Sequence, residues 1–186
     1  MHVLATLICF LFIAFSFGQK PQDSLIYEFS ITQNKHNKAE TALLIARQMV
    51  RENSDSALLF IDTAFYYAKD SALIVDAFRA KASVYKHLKN HEKFICSLDS
   101  ALLYTQKDSL KAVVYESKGY YYKYIGDFNN SRKNFDHILQ LKNVNLLQIG
   151  TAHQSLSTLE KETANYIKAI DLQFKAHEIF LSLNDS

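Results

Sequence analysis

A shift of 37 residues superimposes one stretch of this chain on another. Gly119-Tyr120-Tyr121-Tyr122 falls on Ala82-Ser83-Val84-Tyr85, and the apolar runs downstream come into step with it. A repeat of that length constrains the fold more than composition does, because one unit is too short to bury its own apolar face and must stack on its neighbours. The third copy reads Tyr115, Lys118-Gly119, Tyr122, Gly126-Asp127-Phe128, Ser131, Phe135, Ile138. The second carries Phe78, Ala82, Tyr85, Leu98 and Ala101, with Lys89-Asn90-His91 in place of the glycine turn. The fourth carries Leu156-Ser157, Ala164-Asn165-Tyr166, Ala169 and Ala176, but has Glu160 at the tyrosine position. The first is clear only in its second half, where Ala57, Ile61 and Ala64 precede Phe65-Tyr66-Tyr67.

Four glycines and one proline, Pro21, occur in the whole chain. So few breakers favour helices joined by short turns over a sandwich or a barrel. The small residues Gly119, Ala82 and Ser157 predict a close approach of two helices within one hairpin. The aromatics Tyr85, Tyr122 and Phe135 predict a filled wedge between neighbouring hairpins. Asp70-Ser71 and Asp108-Ser109 each follow a lysine and precede an apolar helical run, which is the pattern of a helix N-cap.

These residues resemble the tetratricopeptide repeat. That family has a large aromatic, a small residue and a tyrosine on its first helix, then a Gly-Asp-aromatic turn, then small, aromatic and small positions on its second. The resemblance implies an all-α fold of tandem antiparallel hairpins, an α-solenoid wound as a right-handed superhelix. Its concave surface would be lined mainly by the first helices. Four units are expected, 38–71, 75–108, 112–145 and 150–183, within 38–186 and after an N-terminal segment or first helix at 19–37. The implied function is a protein- or peptide-binding scaffold that uses the concave groove, not an enzyme.

Met1 to Gly18 contains no Lys, Arg, Asp or Glu, is apolar from Val3 to Phe17, and ends in Ser16-Phe17-Gly18. This reads as a signal peptide at 1–18, cleaved before Gln19, and the expected location is periplasmic or secreted. The leader lacks a positive first region, so anchoring by an uncleaved leader is the alternative. Cleavage would leave Cys96 as the one cysteine, with no intrachain disulfide possible. Beside Ile95 and Leu98, Cys96 is expected to be a small buried hydrophobe.

The formal net charge of +2 comes without a basic block, so nothing argues for nucleic acid as a partner. No glycine-rich phosphate loop, Gly-x-Ser-x-Gly elbow or Cys-x-x-Cys occurs, so no catalytic residue and no cofactor is expected. His87 and His91 are one helical turn apart, but the repeat places a turn at 89–91, and no metal site is expected there. Glu160 and Glu162 read as ordinary surface carboxylates.

One row of residues stands out. Lys86, Lys123 and Lys161 follow the first-helix tyrosine position in three successive units. With Arg79, His87, Tyr120 and Tyr124 on the same predicted face they form a candidate groove for an acidic peptide or a terminal carboxylate. The competing reading is a set of solvated lysines that suit the negative end of the helix dipole. The family's carboxylate clamp pairs lysine with asparagine; the asparagines are missing here, so that activity is not implied.

Asn184-Asp185-Ser186 falls where Lys69-Asp70-Ser71 introduces a first helix, and Ile170, Phe174 and Phe180 are expected to lack a covering hairpin. The expectation is a stack continuing beyond Ser186, or self-association through the last repeat. The leader followed by such repeats also resembles the front of bacterial sensor kinases and helix-turn-helix transcriptional regulators. The alternative function is therefore the extracytoplasmic sensory portion of a longer signalling protein with a downstream transmembrane helix.

Overall fold

The computed structural model describes residues 22–184, and these residues form nine α-helices and no strand. The leader expected at 1–18 lies outside the described residues, as does Asp185-Ser186. The helices are α1 (Gln22–Ile31), α2 (Lys35–Met49), α3 (Ser54–Tyr67), α4 (Ser71–His87), α5 (His91–Leu103), α6 (Asp108–Tyr124), α7 (Phe128–Gln140), α8 (Leu146–Glu162) and α9 (Tyr166–Asn184). No helix among the described residues is long and apolar enough to cross a membrane.

Helix starts are written in short polar side chains. Asn34, Asn53, Asp70, Asn90, Asp127 and Asn145 each accept a hydrogen bond from a backbone N–H of the following first turn, satisfying donors that have no partner within the helix. Asp108 departs from the sequence expectation: α6 begins after Lys107 without a side-chain cap. The Asp108 carboxylate instead accepts from the N–H groups of Lys142 and Asn143, at 3.2 and 3.0 Å. It ties the start of the third hairpin to the loop that leads into the fourth, because that loop passes close enough to offer two free amides. The first helices of the last three hairpins start about one turn before the unit boundaries drawn from the repeat.

Three hairpin turns share one backbone device. Lys89, Gly126 and Ala164 have φ of 55°, 80° and 58°. In each case the next residue donates to the carbonyl five positions back: Asn90 to Tyr85, Asp127 to Tyr122 and Asn165 to Glu160. This is the left-handed helix ending that closes the last turn on itself. Only the turn of the third hairpin, at Gly126, has the glycine that such a φ favours.

The helices pack as successive pairs, α2 with α3, α4 with α5, α6 with α7 and α8 with α9, and the first helices also lie side by side along the row α2, α4, α6, α8. Apolar residues fill three linked cores. The first joins Leu43 and Ala46 of α2 to Ile61 of α3 and Val84 of α4, and the second joins Val75 and Ala82 to Leu98 and Tyr121. The third joins Phe135 and Ile138 to Leu156, Leu159 and Leu172. In the second core Phe94 stacks on Tyr121 with ring centroids 3.7 Å apart. Helix α1 adds to the stack at its start, burying Leu25 against the first hairpin with Phe29 edge-on to Phe60.

Small residues set the tightest contacts. A Cβ on Gly119 would lie 2.7 Å from the ring of Phe135. One on Gly150 would lie 2.7 Å from the ring of Phe180, which is therefore not left uncovered as the sequence suggested; it fills the notch that Gly150 leaves in α8. Cys96 is a second correction, since it is exposed. Its helix turns Phe94, Ser97 and Leu98 inward, and Cys96 points away from that stripe.

Candidate functional site

The face shared by the first helices carries most of the polar residues singled out in the sequence. On α6 the positions Val113, Glu116, Tyr120 and Lys123 recur at helical spacing, so they share one side of that helix. Across from them on α8 lie Gln148, Thr151, Ser155, Thr158 and Lys161. Tyr120, Lys123, Gln154, Ser155, Thr158, Lys161 and Gln173 enclose a polar cleft of about 400 Å³. Tyr120 anchors one wall, its ring edge-on to buried Phe135 at 5.3 Å and its hydroxyl accepting from Ser155 Oγ at 3.2 Å.

The lysine row forms a ladder between hairpins. Lys86 Nζ lies 4.8 Å from the ring centroid of Tyr124, and Lys123 Nζ lies 3.2 Å from Glu162 Oε1. Each lysine thus reaches the residue that follows the lysine of the next hairpin. Lys161 stands exposed at the mouth of the cleft. The carbonyls of Lys86, Lys123 and Lys161 all accept within the left-handed turns, so the row sits at the negative ends of the three first helices. Of the seven residues predicted together, the cleft gathers Tyr120, Lys123 and Lys161, while Lys86 and Tyr124 pair one step along the row.

Arg79 and His87 fall elsewhere. Arg79 Nη1 binds Asp76 at 3.2 Å and its Nε donates to Ser117 Oγ at 3.1 Å, while Asp76 also pairs with Arg47 of the preceding hairpin at 2.7 Å. Arg79 therefore neutralises an inner-face carboxylate rather than offering a free cation. His87 is an exposed residue at the end of α4, and His91 stacks on Tyr121 at 5.4 Å. Among the described residues no group of three or more potential metal ligands comes together.

Glu160 overturns its reading as surface. It is 2% exposed, and Arg132 Nε and Lys168 Nζ both reach its Oε1 at 2.9 Å while Asn165 Nδ2 donates to Oε2 at 3.1 Å. Burial raises its pKa, but the hydrogen bonds and charges of Lys168 and Arg132 outweigh that and hold it below the ordinary value. At the position where other units place an aromatic wedge, the fourth hairpin uses an ion cluster joining α7, α8 and α9. Glu162, its neighbour, is the partner of Lys123. The replacement of tyrosine by glutamate was visible in the sequence; the cations that make it a buried residue come from two other helices.

Sequence reasoning also missed Glu116. This half-buried carboxylate has its pKa raised by burial, partly opposed by the charge of Arg79. It borders a separate cleft of about 290 Å³ lined by Ala112, Val113, Ile138, Leu147, Gln148 and Ala152 among others.

No protein-family model and no curated protein sequence matches this chain. Solved structures do. The structure of MamA is similar with a TM-score of 0.59 at 15% identity, over 89% of this chain and 90% of that one. BtubC (BKLC) from P. vanneervenii gives a TM-score of 0.61 at 18% identity, over 84% of this chain and 68% of that one. A TPR repeats protein from Bacteroides fragilis covers 85% of this chain and 80% of its own at 17% identity, with a TM-score of 0.39. The first two likenesses bear on the fold alone, and with the repeat geometry above the chain is a tetratricopeptide-like α-solenoid.

Proposed function

We propose that this chain is a protein-binding scaffold, without catalytic activity of its own, that holds an extended or helical segment of a partner along the face formed by α4, α6 and α8. The observation that carries this reading is the pair of exposed tyrosines on that face, Tyr120 and Tyr124, beside the cleft that ends at Lys161. Aromatic side chains with a polar tip are enriched among the residues that anchor a docked segment, and Tyr120 is braced here by buried Phe135. Lys161 and the Lys123 edge of the cleft favour an acidic group in the segment, since Lys161 is exposed and Lys123 has one ion-pair partner, Glu162, to exchange for it.

Selection of a displayed random-peptide library on the full chain tests this. Selected peptides should crosslink to α6 and α8, be enriched in Asp or Glu, and lose binding to the Tyr120→Ala/Tyr124→Ala variant with the helical signal intact. Peptides that crosslink to the outer helices α3, α5 and α7, and bind that variant unchanged, would refute the groove reading. Export of the chain is the companion proposal and rests on the apolar stretch from Val3 to Phe17. N-terminal sequencing of the secreted protein should begin at or near Gln19, and a retained leader would move it to the anchored class.

The fourth hairpin supports a further surface. Ile167, Ile170 and Phe174 stand exposed along one stripe of α9. Self-association through this stripe is part of the proposal, and its test is argued below.

A further inference from the structure

Other carboxylates on the inner face have side-chain partners within the fold. Asp76 pairs with Arg47 and Arg79, Glu162 with Lys123, and Glu40 with His36. Glu116 is the exception: among the described residues no hydrogen bond or ion pair reaches its carboxylate. The nearest cation that influences it, Arg79, is already committed to Asp76 and Ser117. A half-buried carboxylate that meets only water is free to take up a donor from a docked ligand.

Its surroundings say what kind. The cleft at Glu116 has apolar walls from Ala112, Val113, Leu147 and Ala152, with Ile138 beneath. Asn145, Thr151 and Gln148 complete the lining, Gln148 held by its Nε2 donating to the Ser109 carbonyl at 2.9 Å. The Glu116 carboxylate beside apolar walls matches a side chain with an aliphatic stem and a cationic, donor-only head. A carboxylate-bearing ligand would face Glu116 with like charge, and a purely apolar one would leave Glu116 buried more deeply and still unpaired.

The geometry points to the cleft between α6 and α8 at Glu116 as a pocket for a lysine or arginine side chain of the docked segment. This deepens the groove reading and rests on it. It also gives the groove a polarity, with the basic side chain received beside the middle of α6 and the start of α8 and an acidic group beside the end of α8 at Lys161.

The test uses the full chain, labelled with nitrogen-15, and three small probes: N-acetyl-arginine N-methylamide, its lysine counterpart and its citrulline counterpart, the last a neutral isostere of arginine. The arginine or lysine probe should shift the amides of Glu116, Gln148 and Thr151 saturably, and comparing the two identifies the preferred head group. Glu116→Gln should weaken that binding by about tenfold or more, and the Glu116 carboxyl, followed by carbon-13, should titrate at lower pH when the probe is bound. Equal shifts from the citrulline probe would reduce the site to an apolar slot and overturn the proposal. So would shifts centred on Glu40 and Asp76, or no saturable shift at all. A selected peptide that needs Tyr120 and Tyr124 but binds Glu116→Gln unchanged would leave the groove standing and overturn the pocket alone.

Discussion

Ser131 Oγ donates to the carbonyl of Gly119 at 2.8 Å across the third hairpin, and the fourth hairpin makes the same contact with its polarity reversed, Ser157 of α8 donating to Ala169 of α9 at 2.8 Å. All four positions are buried between the paired helices, and in each pair one hydroxyl bridges to the facing backbone. Ser131→Ala and Ser157→Ala should each cost about 1 kcal/mol, the net value of a buried hydrogen bond. Gly119→Leu should cost more, roughly 1–3 kcal/mol, because even its Cβ meets the Phe135 ring. Urea denaturation followed by circular dichroism measures both. Leucine at exposed Asn130 is the control, and equal losses at 119 and 130 would show that the tight contact has been misplaced.

The left-handed turns give a gain rather than a loss. Lys89 and Ala164 hold the positive φ that Gly126 holds without steric cost. Lys89→Gly and Ala164→Gly should therefore stabilise by about 1 kcal/mol each, and Gly126→Ala should destabilise by about the same. Nothing lies within 4 Å of a Cβ at Gly126, so crowding would not contribute to that loss. Melting temperatures of the three variants decide it; a fall for Lys89→Gly would mean that its flexibility in the unfolded chain outweighs the relief.

What the sequence made legible follows from how local each feature is. The hairpins, the small residue at 119 and the cap at Asp70 depend on neighbours within one hairpin, and spacing alone reveals them. Asp108 looked like the same cap as Asp70, but its partners are amides at 142 and 143, brought close only by the stacking of hairpins. Glu160 is buried because Arg132 and Lys168 arrive from separate helices. Glu116 was silent for the opposite reason, since an unpaired carboxylate becomes conspicuous only when its neighbours prove to be occupied elsewhere. The lysine row was visible as a pattern, but its ladder to Tyr124 and Glu162 needed the pitch of the stack.

Two glutamates should give opposite pH signatures. Glu160 has a lowered folded pKa, so its contribution is complete above the ordinary value of 4.5 and is lost as pH falls through the folded value. Asp70, lowered mainly by its hydrogen bond from the Leu73 N–H, adds to the same acid-side loss below its ordinary 3.8. Glu116 has a raised folded pKa, so its ionisation costs stability as pH rises above 4.5 through the folded value. Glu160→Gln should lower stability at neutral pH by about 2 kcal/mol, from weakened bonds to charged groups, and flatten the acid-side fall. Glu116→Gln should raise stability at neutral pH and leave the acid limb in place. Urea midpoints measured from pH 3 to 8 would contradict this assignment if the two variants moved in the same direction.

The last prediction concerns the outer face of α9. Ile167, Ile170 and Phe174 lie three and four residues apart and are 87%, 57% and 64% exposed, with Leu181 further along the helix at 50%. The corresponding positions one hairpin earlier, on α7, are Asn129, Arg132 and Asp136, and Arg132 there already reaches across to Glu160 of α8. The third hairpin thus meets its neighbour with polar residues at these places, whereas the fourth presents apolar ones. A row of large apolar side chains on one helix stripe is a surface made for contact. Sedimentation of the full chain over a range of concentrations should show reversible association, and Ile170→Lys with Phe174→Glu should abolish it while keeping the helical signal. Like-charge repulsion is absent from that pair of substitutions, so a loss of association would report the apolar stripe itself. A wild-type chain that stays monomeric at every concentration would remove self-association from the proposal.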